Sequence, residues 1–167
     1  MEIHTPHSVE QLDQVRALMR AFVAWHRERN AQDIRLVDTY FDAGAFEEEL
    51  ATLPGDYAPP DGALLLASWA GAAAGCVALR RIDSAACEMK RMFVYPQFQG
   101  KGVGRALGVA IVREAKSAGY SIMRLDTSVR QIEAQQLYAR LGFRRIDPYY
   151  EVPLALRDWL VFMERTL

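Results

Sequence analysis

A glycine-rich turn between a strand-like run and a helical pattern is the feature that most constrains this chain. Its glycines stand at alternate positions, Gly100, Gly102 and Gly104. Glycine accepts a positive φ and lets another group approach the backbone closely. The first turn of a helix leaves main-chain N–H groups without partners, and the helix dipole favours an anion there. The turn therefore predicts a phosphate-binding site, with Lys101 and Arg105 adding positive charge at its rim.

The common nucleotide-binding patterns do not fit this turn. A Walker loop needs lysine and then serine or threonine after its last glycine, whereas Arg105 and Ala106 follow Gly104. The dinucleotide pattern needs a third glycine three places after the second. Arg105 or Leu107 stands there, depending on which pair of glycines begins the count. A nucleoside-triphosphate enzyme is left as an alternative that would show magnesium-dependent ATP binding.

Length, charge and cysteine content exclude several classes of protein. The 167 residues fit one domain, residues 1–167, and the formal net charge of -1 gives no general attraction to nucleic acid or acidic lipid. Cys76 and Cys87 are too few for a disulfide framework and have no metal-ligand spacing. Neither a secretory signal nor a stretch of roughly 20 apolar residues is present. We therefore predict a cytoplasmic protein without nucleic-acid, membrane or metal partners.

The spacing of apolar residues and chain breaks predicts a mixed order of helices and strands. Ser8 and Gln11 form a capping-box pattern before the first helix, and Pro96 ends the third long strand. The predicted helices cover residues 9–29, 34–53, 102–118 and 132–141, and the predicted strands cover 2–5, 63–70, 76–82, 87–95, 121–127, 143–146 and 160–167, with a small-residue turn at 71–75. This order predicts an α+β fold of three layers, α/β/α, around one central sheet.

The spacing that does fit the turn is Gln99-x-x-Gly102-x-Gly104. With it, the sequence resembles the GNAT superfamily of acetyl-CoA-dependent N-acetyltransferases, whose pyrophosphate loop reads Arg/Gln-x-x-Gly-x-Gly/Ala. Upstream, residues 90–96 look like the family's splayed fourth strand. Downstream, residues 134–143 are similar to the family's Ala-x-x-Leu-Tyr-x-x-x-Gly-Phe. The resemblance covers about a third of the chain and implies a mixed, mostly antiparallel central sheet.

The resemblance also implies that acetyl-CoA is the co-substrate, and it assigns residues to the coenzyme. Main-chain groups of Met92 and Val94 would pair with the pantetheine arm like an added strand, and the Val94 N–H would polarise the thioester carbonyl as an oxyanion donor. Many members have asparagine three residues before the helix alanine. Gln131 stands there in this chain, and its longer amide could make the same contact. Main-chain N–H groups of the turn would hold the pyrophosphate, in the segment formed by Gln99, Gly100, Lys101, Gly102, Val103, Gly104 and Arg105.

Acetylation of an amine needs a general base for the acceptor and a general acid for the leaving thiolate. By the resemblance, Tyr138 matches the helix tyrosine that serves as the acid in many members, although its leucine neighbours also suit a core aromatic. Glu88 matches the catalytic glutamate that some members carry on strand four. A solvated strand carboxylate is the alternative. Strand alternation places Glu88, Lys90, Met92 and Val94 on one side of the strand.

Other polar and aromatic residues carry less information. The three histidines, His4, His7 and His26, lie far from the motifs and form no ligand pair, so we expect them to be structural or exposed. Tyr149 and Tyr150 precede the last strand in a loop that commonly borders the acceptor in the family. The aromatic residues of the early helices fit either the core or the roof of the acceptor pocket.

Together these assignments predict direct transfer of acetyl from acetyl-CoA to an amine in a ternary complex, without a protein-bound acetyl. A small-molecule acceptor is favoured because no acidic run offers a docking surface for a basic protein tail. Acetylation of a protein lysine or N-terminus is the alternative within the enzyme class. A non-catalytic coenzyme-A-binding sensor is the alternative outside it. The resemblance also allows a homodimer, because paired or exchanged final strands are common in the family.

Overall fold

A computed structural model describes all residues from Met1 to Leu167. Ser8 begins the first helix with the capping box that the sequence predicts, since the Gln11 N–H donates to Ser8 Oγ at 3.1 Å. None of the helices combines the length and the apolar composition that crossing a bilayer requires. The helices are α1 (Val9–Arg29), α2 (Ile34–Tyr40), α3 (Ala43–Thr52), α4 (Val103–Ser117) and α5 (Ile132–Arg140), and the strands are β1 (Glu2–His4), β2 (Ala63–Trp69), β3 (Ala72–Arg81), β4 (Ala86–Val94), β5 (Ile122–Ser128), β6 (Arg144–Ile146) and β7 (Leu160–Thr166).

The seven strands form one sheet in the order β1-β2-β3-β4-β5-β7-β6. All neighbours are antiparallel except β4 and β5, which run parallel. A parallel pair needs a crossover connection, and α4 supplies it between these two strands. The sheet is mostly antiparallel and has helices on both faces, which confirms the predicted α+β fold of three layers.

Two apolar cores lie on the two faces of the sheet. The first core packs α4, through Leu107 and Ile111, against sheet residues that include Met89. The second core packs α1, through Leu18 and Met19, against the opposite face together with α2 and α3. The spacing of buried residues along α1 and α4 follows the helical period, so each helix buries one apolar stripe.

The parallel strands separate shortly after they meet. β4 and β5 pair over three positions, the last of which joins Glu88 to Arg124. Beyond this point β4 continues to Val94 and β5 to Ser128 without pairing to each other. The sheet therefore opens into a fork, which confirms the splayed fourth strand. The main chain along the inner edges of the fork is free to bind a ligand.

A β-bulge in β4 lies at this fork. Cys76 pairs with Phe93 and Ala78 pairs with Lys90, so one residue of β3 faces two residues of β4. Arg91 within the bulge has a positive φ of 55°, which is uncommon for a residue with a side chain. A bulge inserts an extra residue into the strand. The side chains after it therefore point to the opposite face of the sheet from the one that simple alternation predicts.

The bulge makes one prediction wrong. Alternation predicts that Glu88, Lys90, Met92 and Val94 share one side of the strand. In the structure Met92 and Val94 pack against the α4 core, whereas Glu88 accepts a hydrogen bond from Tyr149 on the other side of the sheet. Met92 and Val94 therefore line a different space at the fork from the one that Glu88 lines.

The helix predicted over residues 34–53 is also wrong as one continuous element. α2 ends at Tyr40 and α3 begins at Ala43. Asp42 separates them because its side chain accepts the Ala45 N–H at 2.9 Å and so caps α3. Tyr40 at the end of α2 reaches the fork, where its hydroxyl donates to Asp126.

The hairpin between β2 and β3 is tighter than the small-residue pattern indicates. Trp69 pairs with Ala72, so the turn consists of Ala70 and Gly71 alone rather than residues 71–75. Both residues have positive φ, 50° and 83°, as a two-residue hairpin turn of the primed type requires. The small residues that follow belong to β3 instead.

Candidate active site

The glycine turn has the backbone that its sequence predicts. Gly100 and Gly102 have φ values of 74° and 83°, and Gly102 caps the start of α4. A Cβ added at either position would meet no protein atom within 4 Å, so both face open space. The first main-chain N–H of α4 with a protein acceptor belongs to Ala106, which donates to the Gly102 carbonyl. The amides from Gly100 to Arg105 donate to no protein acceptor, which leaves six donors for an anion.

The end of β4 presents its main chain to the fork. The Tyr95 N–H donates to the Ala74 carbonyl of β3. Main-chain groups alternate along a strand, so the N–H and C=O of Val94 face away from β3. The Val94 carbonyl accepts the side-chain amide of Gln99 at 3.0 Å, which fixes the turn to the strand. Gln99 therefore braces the turn, while the Val94 N–H stays free at the fork.

A cleft of about 500 Å³, here called the glycine-turn cleft, gathers most of the predicted coenzyme residues. It lies between the second half of α1, the end of β4, the glycine turn and α5. Two predicted residues, Lys101 and Glu88, do not line it. The predicted site residues that line it are Met92, Val94, Gln99, Gly100, Gly102, Val103, Gly104, Arg105, Gln131 and Tyr138.

The side chain of Lys101 is directed away from the cleft. Its ammonium lies 5.7 Å from the ring centroid of Trp69 and 5.4 Å from that of Phe98. These cation–π contacts hold the side chain against the two rings, outside the residues that line the cleft. The expectation that the Lys101 charge lies at the rim is therefore wrong for this conformation, and its main-chain amide is the group that remains available.

Arginine side chains that the sequence analysis missed supply positive charge instead. Arg29 from α1 and Arg140 from α5 line the cleft together with Arg105. The Arg29 guanidinium lies over the Trp25 ring at 5.0 Å and pairs with Glu133. Nothing in the local sequence around Arg29 points to the glycine turn, because only the packing of α1 against the fork brings it there.

Tyr138 lies where the cleft meets the sheet. It is 7% exposed, belongs to the α4 core and packs edge-on against Phe143 at 6.1 Å. Its hydroxyl makes no hydrogen bond within the protein, and the residue lines the cleft. Burial, together with the charge of Asp126, raises the pKa of Tyr138 well above its ordinary value. The phenol is therefore protonated at neutral pH and can donate to a group in the cleft.

Gln131 joins the cleft to a histidine that the sequence analysis set aside. Its side-chain oxygen accepts the Thr127 hydroxyl at 2.7 Å, and its nitrogen lies 2.6 Å from Nε2 of His26. Burial, and to a smaller extent the charge of Arg29, lowers the pKa of His26 to about 4. The neutral ring can accept the Gln131 N–H in the tautomer protonated on Nδ1. His26 therefore contacts a cleft residue that is 105 positions away in the chain, although it is distant from the motifs in sequence.

A second space of about 500 Å³, here called the charged pocket, lies on the other side of the fork. Glu88 lines it and is 2% exposed, so the prediction of a solvated carboxylate does not hold. Arg80 Nε donates to Glu88 Oε2, and the Tyr149 hydroxyl donates to Oε1, both at 2.7 Å. The ionisable residues of this pocket are Arg80, Arg81, Lys90, Arg91, Asp56, Glu88 and Asp126, with Tyr40, Tyr149 and Tyr150.

Asp126 is the central carboxylate that the sequence analysis missed. It lies on β5 just beyond the last β4–β5 pair, and its side chain is 2% exposed. The hydroxyls of Tyr40 and Tyr150 each donate to it at 2.6 Å, and Lys90 Nζ lies 3.5 Å away. Burial acts to raise the pKa of Asp126, but the Lys90 charge and the two phenols outweigh it and hold the pKa below its ordinary value. Asp126 is therefore ionised at neutral pH.

A small cavity of about 30 Å³, here called the connecting cavity, links the two spaces. Lys90 and Asp126 line both it and the charged pocket. Met92 and Tyr138 line both it and the glycine-turn cleft. Two ligands bound in the two larger spaces would therefore meet at the fork, between Asp126 and Tyr138.

Comparison with known proteins identifies this arrangement. A family model described as the acetyltransferase (GNAT) domain matches residues 60–145, which is more than half of the chain. The chain belongs to the GNAT acetyltransferase family. The GNAT match contains the glycine turn, the fork and the whole of α5, so the predicted family and enzyme class are confirmed.

Individual relatives agree with this GNAT assignment. An uncharacterized N-acetyltransferase of Schizosaccharomyces pombe is 38% identical over 110 residues, which are 65% of this chain and 68% of that protein. The N-acetylaspartate synthetase of Danio rerio is 33% identical over 114 residues, which are 67% of this chain but 40% of that longer protein. Among solved structures, the paia N-acetyltransferase of Thermoplasma acidophilum in complex with coenzyme A has a TM-score of 0.70 at 18% identity, with all of both chains covered. This last likeness concerns the fold.

Proposed function

We propose that the protein binds acetyl-CoA in the glycine-turn cleft and transfers the acetyl group to the amine of a small molecule. The observation that carries the proposal is the row of unpaired amides from Gly100 to Arg105, which opens onto the cleft beside a free strand edge. Such amides at a helix N-terminus bind phosphate groups. The related fold from Thermoplasma acidophilum was solved with coenzyme A, which supports the same ligand here.

The cleft accounts for the parts of the coenzyme in order. The turn amides bind the pyrophosphate, and Arg29, Arg105 and Arg140 line the same cleft as counter-charges. The pantetheine arm extends along Met92 and Val94, where the free Val94 N–H donates to the thioester carbonyl. An oxyanion donor of this kind typically lowers the barrier by about 2.7–4 kcal/mol. The thioester then lies at the fork, next to Tyr138.

The reaction proposed here is a direct attack within a ternary complex. The acceptor amine gives up a proton to the general base, and its nitrogen forms a bond to the acetyl carbon. The carbon–sulfur bond breaks, and the Tyr138 hydroxyl donates its proton to the leaving thiolate. The raised pKa of Tyr138 keeps that proton in place until the thiolate forms. The two joined spaces support the ternary complex because coenzyme and acceptor can be bound at the same time.

A cysteine-bound acetyl intermediate has no support in the structure. Cys76 and Cys87 are fully buried and line neither the cleft nor the charged pocket. Burial raises the pKa of each thiol to about 12. A reactive cysteine needs its thiolate and access to the substrate, and both thiols lack these features.

Two carboxylates are candidates for the general base, Glu88 and Asp126. The proposal that Glu88 is the base requires a proton to travel from the fork past Lys90, because Glu88 does not line the connecting cavity. Asp126 does line that cavity and is ionised. We retain Glu88 as the proposed base because of its position on strand four, and its test is given in the Discussion.

A small acceptor is favoured by the volume of the charged pocket, about 500 Å³, and by the product named in the relative N-acetylaspartate synthetase. The test is release of coenzyme A thiol from acetyl-CoA over a panel of small amines and of peptides with free N-termini or lysines. Turnover with small amines supports the proposal, and turnover confined to peptides moves the acceptor to proteins. Saturable acetyl-CoA binding without turnover on any amine would favour a sensor and contradict the enzyme.

A further inference from the structure

Arg80 in the charged pocket has unused hydrogen-bonding capacity. Its Nε donates to Glu88, while its two terminal nitrogens make no hydrogen bond within the protein. Arg91 in the same pocket differs, because its Nε and one terminal nitrogen both bind Glu49. The planar edge of a guanidinium suits a carboxylate, which it binds through two parallel N–H groups. Arg80 therefore offers a free binding edge at the pocket, with a side chain that is 43% exposed.

The anions of the pocket leave Lys90 only loosely paired. Lys90 Nζ lies 3.7 Å from Glu88 and 3.5 Å from Asp126, both longer than a charge-assisted hydrogen bond. Its one hydrogen bond is donated to the Tyr40 hydroxyl, at 3.2 Å. Lys90 can therefore also receive an anion without losing a short contact.

We propose that the acceptor is a small amine that carries a carboxylate, with Arg80 and Lys90 binding the carboxylate and Asp126 binding the ammonium group. This rests on the proposed function, since it names the substrate class of that site. Asp126 accepts two tyrosine hydroxyls, and a carboxylate has about four acceptor positions, so capacity remains for an ammonium group. An amine held there lies at the connecting cavity, which Tyr138 also lines.

The charge distribution of the pocket separates this class from the others. Arg91 is paired with Glu49 and Arg81 with Asp61, so Arg80 and Lys90 are the basic groups left to bind an anion. Glu88 already accepts from Arg80 and Tyr149. A diamine would place its second ammonium near Arg80 and Lys90, where like charges repel. An amine without a second charged group would bind Asp126 through its ammonium group but would leave the Arg80 edge without an anion. An acceptor with an ammonium group and a carboxylate gives Asp126 a cation and the Arg80 edge an anion, and both residues line the pocket.

The experiment compares matched acceptors. Glycine, β-alanine, 4-aminobutyrate and L-aspartate are each assayed against the corresponding carboxamide, with 1,4-diaminobutane as the dicationic probe, and kcat/KM is measured by thiol release. For at least one chain length, kcat/KM should be roughly 10- to 100-fold higher for the acid than for its carboxamide. This ratio corresponds to the contribution of a hydrogen bond to a charged group. The diamine should be the poorest substrate.

Two variants give opposite patterns. Arg80→Gln should reduce the ratio of acid to amide to near one, whereas Asp126→Asn should lower kcat/KM for acid and amide together and leave their ratio unchanged. Arg20→Gln is the matched control, because Arg20 is 52% exposed and pairs with a glutamate on the surface away from the pocket. Arg20→Gln should change neither kcat/KM nor the ratio of acid to amide.

Arg80→Lys covers the case in which Arg80→Gln fails to fold, since it keeps a charge beside buried Glu88 while losing the two-pronged edge. Inhibition by butyrate, which is 4-aminobutyrate without its amine, is the second measurement. Butyrate should inhibit competitively against the acceptor and noncompetitively against acetyl-CoA, and the Arg80→Lys variant should weaken this inhibition.

The outcomes separate this inference from the proposed function. Equal use of acids and amides, a preference for the diamine, or an unchanged ratio in Arg80→Gln overturns the carboxylate class while acetyl transfer stands. A failure of every amine to react, with or without acetyl-CoA binding, overturns the enzyme and the inference together.

Discussion

Replacing Gly102 with alanine should abolish tight acetyl-CoA binding at a small cost to folding. Gly102 has a φ of 83°, and a non-glycine residue in the left-handed region loses about 1–2 kcal/mol. The added methyl meets no protein atom within 4 Å, so this strain is the whole expected effect on the free energy of unfolding. In the complex, however, the methyl occupies the space next to the unpaired amides.

The binding effect should be much larger than the folding effect. If the methyl prevents two amides from reaching the pyrophosphate, two hydrogen bonds to a charged group are lost, each contributing about 1.5–3 kcal/mol. Affinity for acetyl-CoA should then fall by about 100-fold or more. Calorimetric titration measures the affinity, and urea unfolding measures the stability of the same sample.

Gly119→Ala is the matched control. Gly119 has a φ of 87° and open space around its Cβ position, but it follows the far end of α4 and does not line the cleft. Both variants should lose similar stability, and only Gly102→Ala should lose binding. Unchanged affinity in Gly102→Ala, or an equal loss of affinity in Gly119→Ala, would refute the assignment of the turn amides to the coenzyme.

Three further predictions concern single side chains. Tyr138→Phe should lower kcat by about 100-fold with little change in KM for acetyl-CoA, because a general acid contributes at least that much; steady-state kinetics with unaltered kcat would remove the acid role. Glu88→Gln should lower kcat by a similar factor, because the acceptor amine loses its base, and an unaltered kcat in steady-state kinetics would exclude Glu88 as the base. The folded-state pKa of His26 is about 4, below its unfolded value of 6.5. As the pH falls, the unfolded chain therefore binds the proton first. The free energy of unfolding should decrease between pH 6.5 and pH 4, by up to roughly 3 kcal/mol. Urea unfolding of His26→Gln across this range should show a flatter pH dependence, and an identical slope in both proteins would contradict the neutral, buried ring.

Local signals predicted the parts of the fold that depend on a few neighbouring residues. Gly100 and Gly102 have the positive φ that the turn pattern indicates, and Ser8 caps α1 as its spacing with Gln11 predicts. The same type of signal could have divided the second helix, because Asp42 is a favourable N-cap residue. Helical periodicity across residues 34–53 concealed that short break.

The rest of the site depends on contacts between distant segments. The bulge at Arg91 forms in a residue with no intrinsic preference for positive φ, so sequence alternation gave the wrong face for Met92 and Val94. Asp126 acquires its partners from Tyr40, which is 86 positions away in the chain, and from Tyr150. No local pattern marks such a pairing, because it arises when α2 packs beside the fork.

The most direct test of the account is to follow the backbone amides of a ¹⁵N-labelled sample while acetyl-CoA is added. The amides from Gly100 to Arg105 should show the largest chemical-shift changes and become protected from hydrogen exchange, since they change from unpaired donors to pyrophosphate ligands. If acetyl-CoA binds and these six amides stay unperturbed, the coenzyme lies elsewhere and the proposed active site is wrong.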